Sequence, residues 1–156
     1  LADDNFDLSS KAQALLDYNS FMIQGFQDFI NKDPIGLIES YQNALAILET
    51  QGSDQTENII NLRCNLGISH FFNDEIDEGI RQVESAMQLL NQTNGKAQKS
   101  VFQKDDRVVG IENRTFERQT LYLKCQCNLM VMKFSVGDEA GYKKILFEIT
   151  GFLKIM

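Results

Sequence analysis

A chain of 156 residues, 43% of them hydrophobic, is long enough to bury a core, which excludes a fully disordered polymer. One proline and few β-branched runs favour helices over sheets. A net charge of −7 leaves no whole-domain basic footprint for nucleic acid and is repelled on average by an anionic membrane surface, and no apolar run approaches the ~20 residues of a membrane span.

In chain order, residues 8–31 carry the first long helical pattern, with Ser9 or Ser10 as N-cap and an apolar stripe of Leu15, Tyr18, Met22, Phe26 and Phe29. "NKDPIG" stops it. Asp33 caps the next helix and Pro34 suits its first position. That helix, 34–50, sets Leu37, Ile38, Tyr41, Ala44, Leu45 and Leu48 on one side. "TQGSDQTE" is a loop in which Gly52 terminates one helix and Ser53 or Asp54 caps the next. Helices over 55–72 and 76–91 follow, split by the charged turn "NDEID". Residues 92–114 are polar, carry Gly95 and Gly110 and hold no lasting period, which predicts a long loop or insertion. Within it, "RVVGI" reads as a strand-like piece or an extra helical turn, and "KAQKSVFQK" as a solvated loop with Phe102 tucked under itself, with an amphipathic docking turn as the alternative. Helices over 115–135 and 139–156 finish an all-α domain of three antiparallel pairs: 8–50, 55–91 and 115–156.

Shifting the sequence by 42 residues places Gly25 on Gly67, Phe29 on Phe71, Ile38 on Ile80, Tyr41 on Val83 and Ala44 on Ala86. Glycine inside a helix costs ~1 kcal/mol relative to alanine, so its recurrence asks for a packing reason. The expected reason is a close crossing, with Gly25 against Ala44 and Gly67 against Ala86, while Phe29, Phe71, Leu48 and Leu90 fill the layers between pairs.

"NLGISHFFNDEIDEGIRQVESAM" resembles the tetratricopeptide-repeat family through Leu66, Gly67, Phe71, Gly79, Val83 and Ala86. The first copy carries the likeness in Gly25, Phe29, Tyr41, Ala44 and Leu45, but has Gln24 where Leu is usual and Leu37 where a small residue is usual. In the third pair "GDEAGY" fits the charged turn, but no glycine precedes it at the expected place. The resemblance implies about three helix pairs stacked as a short right-handed solenoid, whose first helices line a concave groove for an extended peptide or a partner helix. It implies a non-catalytic protein-interaction module, with Asn19, Met22, Phe26 and Phe29 facing the groove in the first copy; a cytoplasmic or other reducing location is the expectation from the cysteines alone. The matching positions are Asn61, Cys64, Asn65, Ile68 and Phe72 in the second copy, and Lys124 and Asn128 in the third. Phe26 and Ile68 make an apolar strip across the repeats. One subgroup of the family grips a terminal carboxylate. Two positions of its set fall here on Met22 and Phe26, whereas Asn65 and Lys124 fit, and Asn128 stands where Arg is usual. This mixed lining favours a helix or a peptide with hydrophobic anchors.

No pattern of residues points to catalysis, a cofactor or a metal. His70 is the only histidine and has no ligand set around it in sequence. The carboxylates of Asp74, Glu75, Asp77 and Glu78 suit a helix N-terminus better than acid–base chemistry. Cys64, Cys125 and Cys127 are an odd set and a poor disulfide framework, read as three reduced, partly buried thiols. The chain is read as a domain of a longer protein. Two alternatives stand beside the interaction module. One is a structural segment of a larger assembly or homo-oligomer, stacked through the apolar face of Leu146, Ile149, Phe152, Leu153 and Met156. The other is a regulatory domain of a longer enzyme.

Overall fold

The computed structural model describes residues 2–52, 55–100 and 108–155, and these are all helix and turn, with no strand among them. The helices are α1 (Ala2–Ile30), α2 (Pro34–Thr50), α3 (Thr56–Phe72), α4 (Ile76–Ser100), α5 (Val108–Ser135) and α6 (Glu139–Ile155). α1–α2, α3–α4 and α5–α6 are hairpins. α2 packs on α3, α4 packs on α5, and α3 touches α5 directly.

The three hairpins close with one turn, used three times. Lys32, Asp74 and Gly137 adopt the left-handed conformation, with φ of 57°, 61° and 75°. The next residue's N–H reaches back to the last helical turn, from Asp33 to the Asp28 carbonyl, Glu75 to His70 and Asp138 to Lys133, each at 2.9 Å. The left-handed residue itself donates to Phe29, Phe71 or Phe134. This double pattern satisfies carbonyls that a helix end leaves orphaned. In the outer hairpins the following helix is then capped by an aspartate three residues ahead of a glycine. Asp33 accepts from the Gly36 N–H at 3.0 Å and Asp138 from the Gly141 N–H at 2.9 Å. Glu75 holds that place in the middle hairpin and turns instead to His70 Nδ1, at 2.5 Å. The only histidine therefore has a structural partner, and its side chain is buried.

The close crossings exist, one helical turn from where they were expected. A Cβ on Gly25 would meet the Tyr41 ring at 2.8 Å and Leu37 at 3.4 Å, not Ala44. A Cβ on Gly67 would meet Val83 Cγ2 at 2.5 Å and the Gly79 carbonyl oxygen at 2.8 Å, not Ala86. These are the same crossing in both hairpins, since Leu37 and Tyr41 occupy the places of Gly79 and Val83 relative to the turn. Ala44 and Ala86 are fully buried one turn further on, in the layers between hairpins.

Several boundaries differ from the expectations. α1 starts at Ala2, so Ser9 and Ser10 lie inside it and are not caps. The cap position of α3 is Gln55, without a side-chain bond; Ser53 and Asp54 lie outside the described residues. The predicted loop over 92–114 is helical at both ends, as α4 continues to Ser100 and α5 begins at Val108. Gln, Lys and Ala in "NQTNGKAQKS" are good helix formers, and one glycine costs too little to end a helix already under way. "VVGI" is accordingly a turn of helix. Val101 and Phe102 lie outside the described residues.

Two apolar clusters hold the hairpins together. Ile38, Ala44, Leu45 and Leu48 of α2 join Leu62 and Leu66 of α3, flanked by Tyr18, Phe21 and Met22 of α1. A larger cluster takes Ile60 and Cys64 of α3, Val83, Ala86 and Leu90 of α4, Cys125, Leu129 and Met132 of α5, and Ile145 and Ile149 of α6. Polar bridges fix the helices laterally. Arg63 on α3 reaches Glu49 on α2 at 2.6 Å and Gln82 on α4 at 3.2 Å, and Gln126 on α5 donates to Glu148 on α6 at 2.9 Å.

Candidate functional site

The shared turn sets a common register for α1, α3 and α5. Counted back from Lys32, Asp74 and Gly137, Asn19, Asn61 and Lys124 hold one place on their helices. Ile23, Asn65 and Asn128 hold the next, and Phe26, Ile68 and Val131 a third, nearer the turn.

On α3 and α5 these places make a polar cluster. Lys124 Nζ donates to Asn61 Oδ1 at 2.6 Å and to Asn65 Oδ1 at 2.7 Å. An ammonium carries three donors, so one remains for a ligand oxygen. Both asparagines accept from the lysine through their side-chain carbonyl oxygens, which leaves their amide N–H groups unused by it. Asn128 Nδ2 is buried and has no acceptor among the described residues. Arg118 approaches Glu57 at 3.5 Å and links the same two helices. The structure thus brings together Asn61, Asn65 and Lys124 and puts Asn128 on the same helix as the lysine, one turn on. The sequence expectation of Cys64 in the groove is corrected: Cys64 is fully buried against Cys125, because its face of α3 points into the larger cluster.

The first-helix residues divide. Asn19 and Phe26 are exposed, and Phe26 keeps 62% of its surface in water. Met22 is half-buried against the α2–α3 cluster and Ile68 against the larger one, so Phe26 and Ile68 do not form an evenly exposed strip. The reason is position in the stack. Ile68 sits on a helix with neighbours on both sides, whereas α1 packs extensively only on α2. The same asymmetry leaves Leu15, Leu16, Ile23 and Ile30 exposed on α1. Phe29 was expected to fill an interlayer and to face the groove, and it does neither fully. It is 61% exposed and walls a cleft of about 340 Å³ with Lys32, Pro34, Leu37, Ser69 and Phe72, between the first turn and the end of α3.

Among the described residues, no group of three or more His, Cys, Asp or Glu side chains is placed to hold a metal ion, and no helix is long and apolar enough to cross a membrane. Comparison with protein-family models, with curated proteins and with solved structures finds no match for this chain.

Proposed function

We propose that the chain is a non-catalytic interaction module of the tetratricopeptide-repeat kind. In this reading its three hairpins stack as a short solenoid, and a peptide or partner helix lies across α1, α3 and α5. The observation that carries it is the Lys124 cluster, a cation pinned between two amides of the neighbouring helix with one donor to spare. Such a cluster offers an acceptor-rich segment several N–H groups at once, and charge-assisted bonds are the stronger kind. Exposed Ile23 and Phe26, at the matching register positions on α1, offer apolar anchor points on the first helix of the row.

The test is selection from a random peptide library displayed on phage, followed by affinity measurement on the purified protein. Selected peptides should bind Lys124→Ala and Phe26→Glu at least ~10-fold more weakly, which is a loss of ~1.4 kcal/mol. Peptides that bind both variants as tightly as the parent, or a library that yields no binder, would contradict the proposal.

A second reading, a segment stacked in a larger assembly, is favoured by the apolar surface left at both ends of the row. Leu16, Ile23 and Ile30 on α1 and Phe147 and Leu153 on α6 are more than half exposed, whereas Ile149, expected on that face, is buried in the larger cluster and Met156 lies outside the described residues. Sedimentation equilibrium separates the readings, because self-stacking makes the average mass rise with concentration.

A further inference from the structure

Cys64 on α3 and Cys125 on α5 are 61 residues apart in sequence, yet their sulfurs lie 2.7 Å from each other. This is closer than the ~3.5–4 Å at which unbonded carbon atoms rest and longer than the ~2.05 Å of a disulfide, so the two free thiols are in direct contact. Both side chains are fully buried, while Cys127, two residues on, faces water. The sulfurs bridge the two helices that carry the polar cluster: Asn65 follows Cys64 in the chain, and Lys124 precedes Cys125.

We propose that Cys64 and Cys125 are an oxidisable pair, closed to an intramolecular disulfide by hydrogen peroxide or a related small peroxide, which staples α3 to α5. The step balances as follows. The Cys64 thiolate attacks one peroxide oxygen, the O–O bond breaks, and the departing hydroxide takes up the thiol's proton as water. Cys64 is then a sulfenic acid. The Cys125 sulfur attacks the Cys64 sulfur, the S–OH bond breaks, and hydroxide leaves with the Cys125 proton as a second water. Two thiols give up two electrons and the peroxide takes them. Cys64 is the better first nucleophile, since the hydrogen bond from Cys125 holds its thiol below the ordinary value despite burial, and Lys124 assists. The same contact pushes the Cys125 thiol up, which keeps its proton in place as the donor. Because both sulfurs are buried, the oxidant is a small one such as a peroxide, close to water in size, and a protein oxidant is shut out. The inference is independent of what binds the groove.

The experiment uses Cys127→Ser, a change at an exposed position, so that only the buried pair remains. Reduced protein is treated with hydrogen peroxide, unfolded, alkylated and analysed by intact-mass and peptide mass spectrometry. The expected product is a monomer lighter by two hydrogens, with no alkylatable thiol and a peptide pair joined through Cys64 and Cys125, restored by dithiothreitol. Closing a loop of this length should also raise the melting temperature by roughly 10 °C. Two alkylatable thiols after treatment, or gain of oxygen without the joined peptide, would overturn the proposal. In Cys64→Ser/Cys127→Ser, the remaining Cys125 should stay alkylatable or gain oxygen and the melting rise should vanish; a rise that persists would also overturn it.

Discussion

At the scale of single residues, the hairpins depend on where glycines let two backbones meet. Gly67 and Gly79 face each other so closely that a Cβ on either would lie within 2.8 Å of the other's carbonyl oxygen. Val83, stiff at its branched carbon, blocks Gly67 from the remaining side. Gly67→Ala should therefore destabilise by ~1–3 kcal/mol in urea unfolding, despite the better helix propensity of alanine. Gly25→Ala should cost less, because its obstacle is a Tyr41 ring edge that can swing. Equal losses at the two sites would show that the middle crossing is no tighter than the first. The glycines were legible in the sequence as a repeat. Their partners were not, because the turn and crossing angle decide which residue of the second helix arrives opposite, and both are tertiary quantities.

At the scale of elements, the repeated turn predicts stability changes of opposite sign. A non-glycine residue in the left-handed region costs ~1–2 kcal/mol, less the entropy that glycine loses on folding. Asp74→Gly should raise stability by ~0.5–1 kcal/mol, and Gly137→Ala should lower it by ~1 kcal/mol, as read by thermal melting. The cap of α6 adds a pH dependence. The Gly141 N–H, and Lys133 with it, hold the Asp138 carboxyl below its ordinary value of 3.8. A carboxyl depressed in the folded state stabilises fully above its unfolded value, and that contribution is lost as pH falls through the folded value. Between about pH 5 and pH 2 the parent's melting temperature should fall further than that of Asp138→Asn, which keeps an acceptor but does not titrate. Identical slopes would mean that the cap carries no pH-dependent stability. The turns were readable in advance, since Asp33-Pro34 and Gly137-Asp138 are strong local signals. The helical stretches 92–100 and 108–114 were not, because polar helix formers around a glycine look the same in a loop and in an extension of a packed helix.

At the scale of the whole molecule, what a residue faces depends on how many neighbours its helix has. Phe26 and Ile68 are equivalents in the repeat, but one lies on an end helix and the other in the middle of the row. Phe26→Glu should change stability by less than ~0.5 kcal/mol, whereas Ile68→Glu should cost about 2–4 kcal/mol by forcing a charge against the larger cluster. No single sequence signals this difference, since the two residues carry the same local pattern. The Cys64–Cys125 contact was hidden for a related reason: two buried thiols 61 residues apart meet only through the packing of α3 on α5. The polar positions Asn61, Asn65, Lys124 and Asn128 were singled out in the sequence by the family resemblance, which carries its register onto them; the bonds that tie Lys124 to two of them were not legible. The central claim is that α1, α3 and α5 present one binding face built around Lys124. Nuclear magnetic resonance of the 15N-labelled protein titrated with a selected peptide tests it most directly. The account predicts that the side-chain amide signals of Asn61, Asn65 and Asn128 and the backbone signals around Ile23 and Phe26 shift together and saturate with one affinity. Shifts confined to α2, α4 and α6 would contradict it.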